Sequence, residues 1–300
     1  DAGDAGTALD FDGGCNFNGT WATRITIDVN WAPQGLNAVI LNPGSGTITQ
    51  WVRSIRKQTP EAPTALIDDT AVCGIVLPDF QSTTTEVYGI RFPDTLFDDG
   101  YIPPFTVSGA LSPMGDAGVG YSSTETAVLI GLTMTNPTQD PWPATITMED
   151  DQENDMHPGV TVPVQGPLAT PSPTAPDYQY IPTDVPILPL QQPVRASAVY
   201  LAIRQITITS GTIVDCNTIT GTVDIPVINS KPAIDSHILG CALVDGGNCT
   251  VGSSSETSFL DNTQPVFTPS PTGKTTFQSI RLPAGTTPAT CADVRKAPFH

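Results

Sequence analysis

A chain of 300 residues with 12 basic against 30 acidic side chains, net charge −18, is a poor partner for nucleic acid or anionic lipid, because phosphate recognition needs clustered Lys and Arg. Only 14% of the residues are charged, below the roughly 25% of an ordinary soluble domain, while 26 glycines and 30 prolines are the currency of turns. With no long 3.6-residue apolar stripe and no apolar run long enough to make a transmembrane segment, the chain is expected to be all-β, either an antiparallel β-sandwich or a closed β-barrel.

The opening "DAGDAGTAL", residues 1–9, cannot pack a core and reads as a flexible linker left by processing. Residues 10–300 read as one large β domain. Its first half runs over 10–162, a Pro-rich connection over 163–193 and a second half over 194–300.

In "WATRITIDVN" the residues Trp21, Ile25, Ile27, Val29 and Trp31 share one parity, and Arg24, Thr26, Asp28 and Asn30 share the other. That alternation predicts a strand with one buried and one wet face. Gly19-Thr20-Trp21, at its start, is similar to the GxW signature of lipocalin-like barrels. That resemblance implies that Trp21 closes one end of a barrel against a basic residue of the last strand, and Arg281 in "TTFQSIRLP" is placed for that part. Further strands are expected in "SGTITQWVRSIR", "TAVCGIVLP", "EVYGIRFP" and "PFTVSGAL". The nearly continuous apolar run "AVLIGLTMT" is expected to be a central strand buried on both faces.

The stretch "EDDQENDMHPG", Glu149–Gly159, is the densest in oxygen ligands. Asp151, Glu153 and Asp155 stand at positions 1, 3 and 5 of a DxDxD-type loop, with the backbone carbonyl of His157 at position 7, which points to calcium as a cofactor. Met156 replaces the usual glycine at position 6, and no acid stands near position 12, so a complete EF-hand is excluded. The competing reading is a solvated acidic hinge.

Residues 163–193 carry nine prolines, which forbid long strands, but also Tyr178, Tyr180, Ile181, Ile187, Leu188 and Leu190. An ordered, extended connection across the body is expected. Strands then resume in "ASAVYLAIRQITITSG", "TITGTVDIPVI", "SHILGCAL" and "TTFQSIRLP". A gap-free echo of Ser54–Pro78 in Ala202–Pro226, with six identities, would make the two halves a pseudo-repeat of related β units.

Six cysteines without a CxxC or CxxH pair point to disulfides in an oxidising compartment and away from zinc. Cys241–Cys249, flanking a turn at Asp245-Gly246-Gly247, is the expected local bridge. Of the pairings open to the rest, Cys15–Cys291, tying the two ends, and Cys73–Cys216 are the expected pair. Trp51, Trp142, Tyr101 and Tyr121 are candidates for a ligand platform, since aromatic faces bind apolar and sugar surfaces. Nucleophile motifs are absent. Asp68 with Asp69, Asp98 with Asp99 and Asp150 with Asp151 are read as turn formers, because neighbouring acids do not make the opposed pair a glycosidase needs.

Taken together, "DAGDAG", "GGCNFNGTWATRITIDVNW", "DDQENDMHPGVTV", "KPAIDSHILGC" and "PATCADVRKAP" resemble uncharacterised secreted proteins and lipoproteins of myxobacteria and related deltaproteobacteria. The resemblance implies a disulfide-stapled β domain on the outer cell surface, lipid-anchored through a residue upstream of Asp1. In that group the acidic loop often reads "DxDGDGxPGVT". Asp151, Asp155, Pro158, Gly159, Val160 and Thr161 fit that form, while Gln152, Asn154 and Met156 depart from it. The function expected first is a non-enzymatic structural, adhesive or assembly component of the bacterial envelope, self-associating or meeting a surface partner through β edges. The alternative is a lipocalin-like module for an apolar small molecule or glycan, and a hydrolase stands third.

Overall fold

The computed structural model describes residues 14–32, 42–81, 87–112, 120–143, 146–165, 196–228, 231–232, 234–243, 248–250, 266–285 and 289–300. The N-terminal linker lies outside them, as do residues 166–193 of the expected Pro-rich connection 163–193, whose first three residues instead end a strand. Seventeen strands are described. They are β1 (Gly19–Ala32), β2 (Gly44–Thr59), β3 (Ala62–Val76), β4 (Phe80–Gln81), β5 (Val87–Ile90), β6 (Phe105–Ser112), β7 (Gly120–Ser123), β8 (Thr126–Ile130) and β9 (Val160–Gln165). The second half adds β10 (Ala196–Asp215), β11 (Thr218–Asp224), β12 (Val227–Ile228), β13 (Lys231–Pro232), β14 (Ile234–Leu243), β15 (Asn248–Thr250), β16 (Val266–Pro269) and β17 (Thr275–Arg281). Two single-turn helices, α1 (Asp94–Asp98) and α2 (Cys291–Arg295), lie outside the sheet.

All strand pairings are antiparallel, and eight of the strands close on themselves. The cycle runs β1–β2–β3–β6–β7–β10–β11–β17 and returns to β1. The ring is irregular, because β7 meets β10 over only Ser210–Thr212, and β6 leaves β3 at Thr70. The 20-residue β10 is its spine. Residues 208–215 complete the ring with β11, while the earlier part carries a second group of strands: β14 on one side, β8 and β9 on the other. Strand β10 is accordingly buried without interruption from Ala198 to Thr207.

The parity read from "WATRITIDVN" is the observed one: Trp21, Ile25, Ile27, Val29 and Trp31 are buried in the ring. In β3 the inward series Leu66, Asp68, Thr70 and Val72 is interrupted by a register shift opposite Trp51 and Val52. The extra residue, Cys73, turns to the outside, and Ile75 and Leu77 resume the inward series with opposite parity.

The run "AVLIGLTMT" does not form one strand. Strand β8 ends at Ile130, and Ala127 and Leu129 are only half-buried. Gly131 takes φ +69° with its Cα packed where a Cβ would lie 2.2 Å from the Leu201 carbonyl oxygen, so the chain turns there and could not with a larger residue. The doubly buried central strand is β10. The gap-free echo also finds no structural counterpart: it lays the turn between β2 and β3 against the middle of β10, and the turn at Cys216-Asn217 against the middle of β3.

Two disulfides are Cys15–Cys216 and Cys73–Cys291, which replace the expected Cys15–Cys291 and Cys73–Cys216. The reason is topological. The Asn217 carbonyl accepts the Arg281 N–H at 2.8 Å, and Arg281 faces Trp21 in the register of β17 with β1. The β10–β11 turn therefore sits at the end of the ring where β1 starts, beside Cys15. Cys73, in the bulge, faces outward onto α2 and reaches Cys291 there. Cys241 is also disulfide-bonded, and the β14–β15 register sets its Cα opposite that of Cys249.

Candidate functional site

One end of the ring is closed by the chain that precedes β1. Trp21 donates its indole N–H to the Phe17 carbonyl at 2.9 Å, and Phe17 takes up the Gln58 side-chain oxygen at 3.0 Å through its own N–H. The Arg281 guanidinium lies over the Trp21 ring, 5.4 Å from its centroid, and donates to the Asn16 carbonyl. This is the Trp–basic contact that the Gly19-Thr20-Trp21 motif implies. The opposite end is apolar, with Trp31, Phe80 and Phe267 packed edge to face at 5.3–6.4 Å, and Phe80 and Phe267 line a void of about 40 Å³.

Between these ends the ring interior is polar. Strand β2 points Gln50, Ser54, Arg56 and Gln58 inward, all buried, and β3 answers with Asp68 and Thr70. Arg56 and Asp68 form a two-pronged ion pair, Nε to Oδ1 at 2.8 Å and Nη2 to Oδ2 at 2.7 Å. The Arg56 guanidinium is also 4.6 Å from the Trp21 centroid and 5.6 Å from that of Tyr121. Burial alone would favour its neutral form, but the Asp68 carboxylate outweighs that and holds the Arg56 pKa above its ordinary value. Burial also pushes the Tyr121 hydroxyl up.

These residues face a cavity of about 70 Å³ inside the ring. Hydroxyls line it in pairs: Thr23 with Ser279 at 2.9 Å, Ser54 with Thr70 at 3.3 Å, Thr209 with Ser123 at 2.8 Å. Two buried donors have no acceptor, Arg56 Nη1 and Gln50 Nε2. Six of the lining residues are only half-buried: Phe105, Val107, Ser123 and Thr126, where β6, β7 and β8 meet beside the irregular part of the ring, and Thr23 and Thr209 on β1 and β10.

No known family model, curated protein or solved structure matches the chain.

The four aromatic candidates do not form one platform. Tyr121 is inside the ring, 5.9 Å from Phe277. Trp51 packs outside against the Cys73–Cys291 bridge. Trp142 stacks on His237 at 4.1 Å, and the Arg204 guanidinium lies over its ring, 5.8 Å from the centroid. Tyr101 is exposed beyond α1. Asp68 and Asp69 are not turn formers but lie within β3 and divide by strand geometry, Asp68 pointing in to Arg56 and Asp69 out to Lys57.

The acidic loop spends its carboxylates on its own backbone. Asp151 accepts from the N–H groups of Asp155 at 3.2 Å and Met156 at 2.8 Å. Asp155 accepts from the His157 N–H and the Thr161 hydroxyl, and Glu153 from the Thr161 N–H. Asn154 and Met156 adopt φ +57° and +70°, the conformations that curl the loop. Among the described residues no three His, Cys, Asp or Glu side chains are grouped as a metal site. Burial, and then the Asp155 and Asp151 carboxylates, raise the Glu153 pKa, partly offset by the Thr161 N–H. The His157 ring stacks on Tyr200 at 4.1 Å.

Arg56, Asp68 and Gln50 were not legible as site residues. Both faces of β2 mix polar and apolar residues, with Thr49, Trp51, Arg53 and Ile55 on the outer parity, so alternation does not say which face is inside.

Proposed function

We propose that the protein is a non-catalytic binding module whose ring interior receives a small ligand. The observation that carries this reading is the polar cavity inside the closed ring, with two buried donors left for a guest. Among the described residues lining it, Asp68 is the single acid and is committed to Arg56, which leaves no opposed carboxylate pair for a hydrolase. The assembly reading needs free strand edges. Ring closure takes the edges of eight strands; among the described residues the edge strands β4, β15, β16 and β8 offer 2, 3, 4 and 5 residues, and β14 is paired on its outer side over Gly240–Ala242. Disulfides fit an oxidising compartment, and among the described residues no helix is long and apolar enough to cross a membrane. A secreted or surface-tethered location, and kinship with the myxobacterial group, belong to this proposal.

The test is a melting-temperature screen against small organic acids, amines, amides and sugars, in the wild type and in Val107→Phe, which fills the cavity from β6. A ligand that stabilises the wild type and loses its effect in the variant binds in the ring. A panel without any ligand sensitive to Val107→Phe would reject the reading.

Calcium on the acidic loop is a second proposal, supported by three carboxylates, Asp151, Glu153 and Asp155, on one curled loop, where burial first and the Asp155 and Asp151 charges after it raise the Glu153 pKa. A calcium-dependent rise in melting temperature, abolished by Asp151→Ala and by Asp155→Ala, is the expected result. An unmutated protein that melts alike in calcium and in EDTA would dispose of it.

A further inference from the structure

The wall of the ring has a seam. Strands β6 and β7 ladder from Ser112 opposite Gly120 to Gly109 opposite Ser123, and the Thr124 N–H still reaches the Ser108 carbonyl at 2.8 Å. There the chain bulges: Ser122 faces Ser210 of β10, but Thr126 already faces Thr207. Past the bulge, among the described residues, β8 ladders to β10 alone and Phe105–Val107 of β6 ladder to β3 alone. Each edge that borders the seam is a row of backbone N–H and C=O groups with no strand beside it there.

The cavity lies directly behind this seam. Thr126 and Val128 of β8 line it, as do Phe105 and Val107 of β6, and all but Val128 are half-buried. A row of alternating donors and acceptors is matched by an extended polypeptide, whose backbone repeats the same groups. Residues opposite one another on paired strands project from the same face. A guest residue set opposite Thr126 or Val128 therefore points into the cavity.

Volume and charge narrow the guest. A space of 70 Å³ is about that of two liquid waters, room for a side chain of a few heavy atoms and not for an aromatic ring. The charges of Arg56 and Asp68 are spent on each other, so a charged side chain would enter without a counter-ion. Paired hydroxyls alternate on the walls with Val52, Val107 and Val128, which suits a small β-branched side chain. Outside, a chain of net charge −18 presents Glu125 at the bulge and favours a guest with basic flanks.

We propose that β8 receives one extended strand of a basic partner polypeptide, which pairs along Thr126–Ile130 and places a single Thr or Val side chain in the ring cavity. The proposal rests on the binding-module reading and names its guest as a side chain carried on a strand. Five residues of edge are too few to build a polymer. They serve a single guest because the backbone bonds hold it and the cavity behind them selects its side chain.

The test titrates the unreduced, isotope-labelled protein with heptapeptides of the form acetyl-Lys-Val-Thr-Xaa-Thr-Val-Lys-amide, read by NMR and by amide exchange. Xaa is Thr, Val, Trp or Asp, and a fully N-methylated Thr peptide removes the ladder donors. The Thr and Val peptides are expected to slow exchange within Thr126–Ile130 and to bind at least about tenfold more tightly than the Trp and Asp peptides. The N-methylated peptide should not bind, and Val107→Phe should weaken the Thr peptide by about tenfold or more. The peptide series leaves the protein unaltered, so it carries the test if Val107→Phe does not fold. Equal binding of the Thr and Trp peptides, or binding of the N-methylated one, would overturn the proposal. So would β8 amides that exchange as slowly as those of β10 before any peptide is added, since the edge would then already be covered. A small molecule whose binding is lost in Val107→Phe, with no peptide bound, would overturn the strand and leave the binding-module reading standing. Failure of both the peptides and the small-molecule screen would remove the reading beneath it.

Discussion

Arg56 concentrates the residue-scale energetics of the ring. Its pair with Asp68 is shielded from solvent, so the attraction is strong but each charge has given up its hydration. Removing one partner leaves the other charged and unpaired. Asp68→Ala is therefore expected to cost about 3–5 kcal/mol, whereas Arg56→Met combined with Asp68→Leu should cost distinctly less, measured by urea denaturation. A double variant as unstable as Asp68→Ala would show that the pair is worth more than its apolar replacement. Glu153 gives the opposite sign of effect. Its pKa is higher in the folded chain than in the unfolded one, so protonation favours the fold. The favourable contribution is complete below the ordinary glutamate value of about 4.3 and is lost as pH rises through the folded pKa. Without calcium, Glu153→Gln is expected to raise the melting temperature at pH 7, and the gain should fade towards pH 4. With calcium bound to the loop the order at pH 7 would reverse.

At the scale of elements, the ring depends on places where a strand breaks its own pattern. Gly211 and Gly221 face each other across β10 and β11, and the Phe277 ring of β17 lies over both. A Cβ on Gly221 would stand 2.1 Å from the Ser210 carbonyl oxygen and 2.8 Å from Phe277. Gly221→Val is expected to cost several kcal/mol, on the order of an overpacked core, and to loosen the β10–β11–β17 closure, seen as faster amide exchange in β11 than in β2. The Cys73 bulge is the second such place. It sends one residue outward, where α2 covers it and Arg295 bonds the Cys73 carbonyl at 2.7 Å and the Asp98 carboxylate at 2.9 Å. Cys291→Ser should release α2 from the ring and lower stability by about 2–5 kcal/mol. Peptide mapping without reduction should recover Cys15 linked to Cys216 and Cys73 linked to Cys291. The converse linkages would overturn the chain path at the start of β1 and at the outward bulge of β3.

For the whole molecule, what could be read in advance follows from how each feature is written in the chain. The inner face of β1 is apolar apart from Thr23, so its parity announces itself, and Gly19-Thr20-Trp21 with Arg281 marks which end of the ring it begins. The inner face of β2 is half polar because it borders a cavity, and the same fact that makes it a site erases its alternation. Cysteine partners depend on which strand ends meet, and that is decided by ring closure between β17 and β1 and not by local spacing. The acidic loop was visible as a cluster, but its curl, with Asp151 capping two N–H groups, comes from backbone geometry that composition does not encode.

A crystal structure of the unreduced protein at high resolution tests the central claim most directly. The account predicts an unbroken ladder from β10 through β11 and β17 to β1, and ordered density within hydrogen-bonding distance of Arg56 Nη1 and Gln50 Nε2. An open sheet with a gap in that ladder, or a ring whose interior has collapsed so that both donors meet protein acceptors, would contradict it.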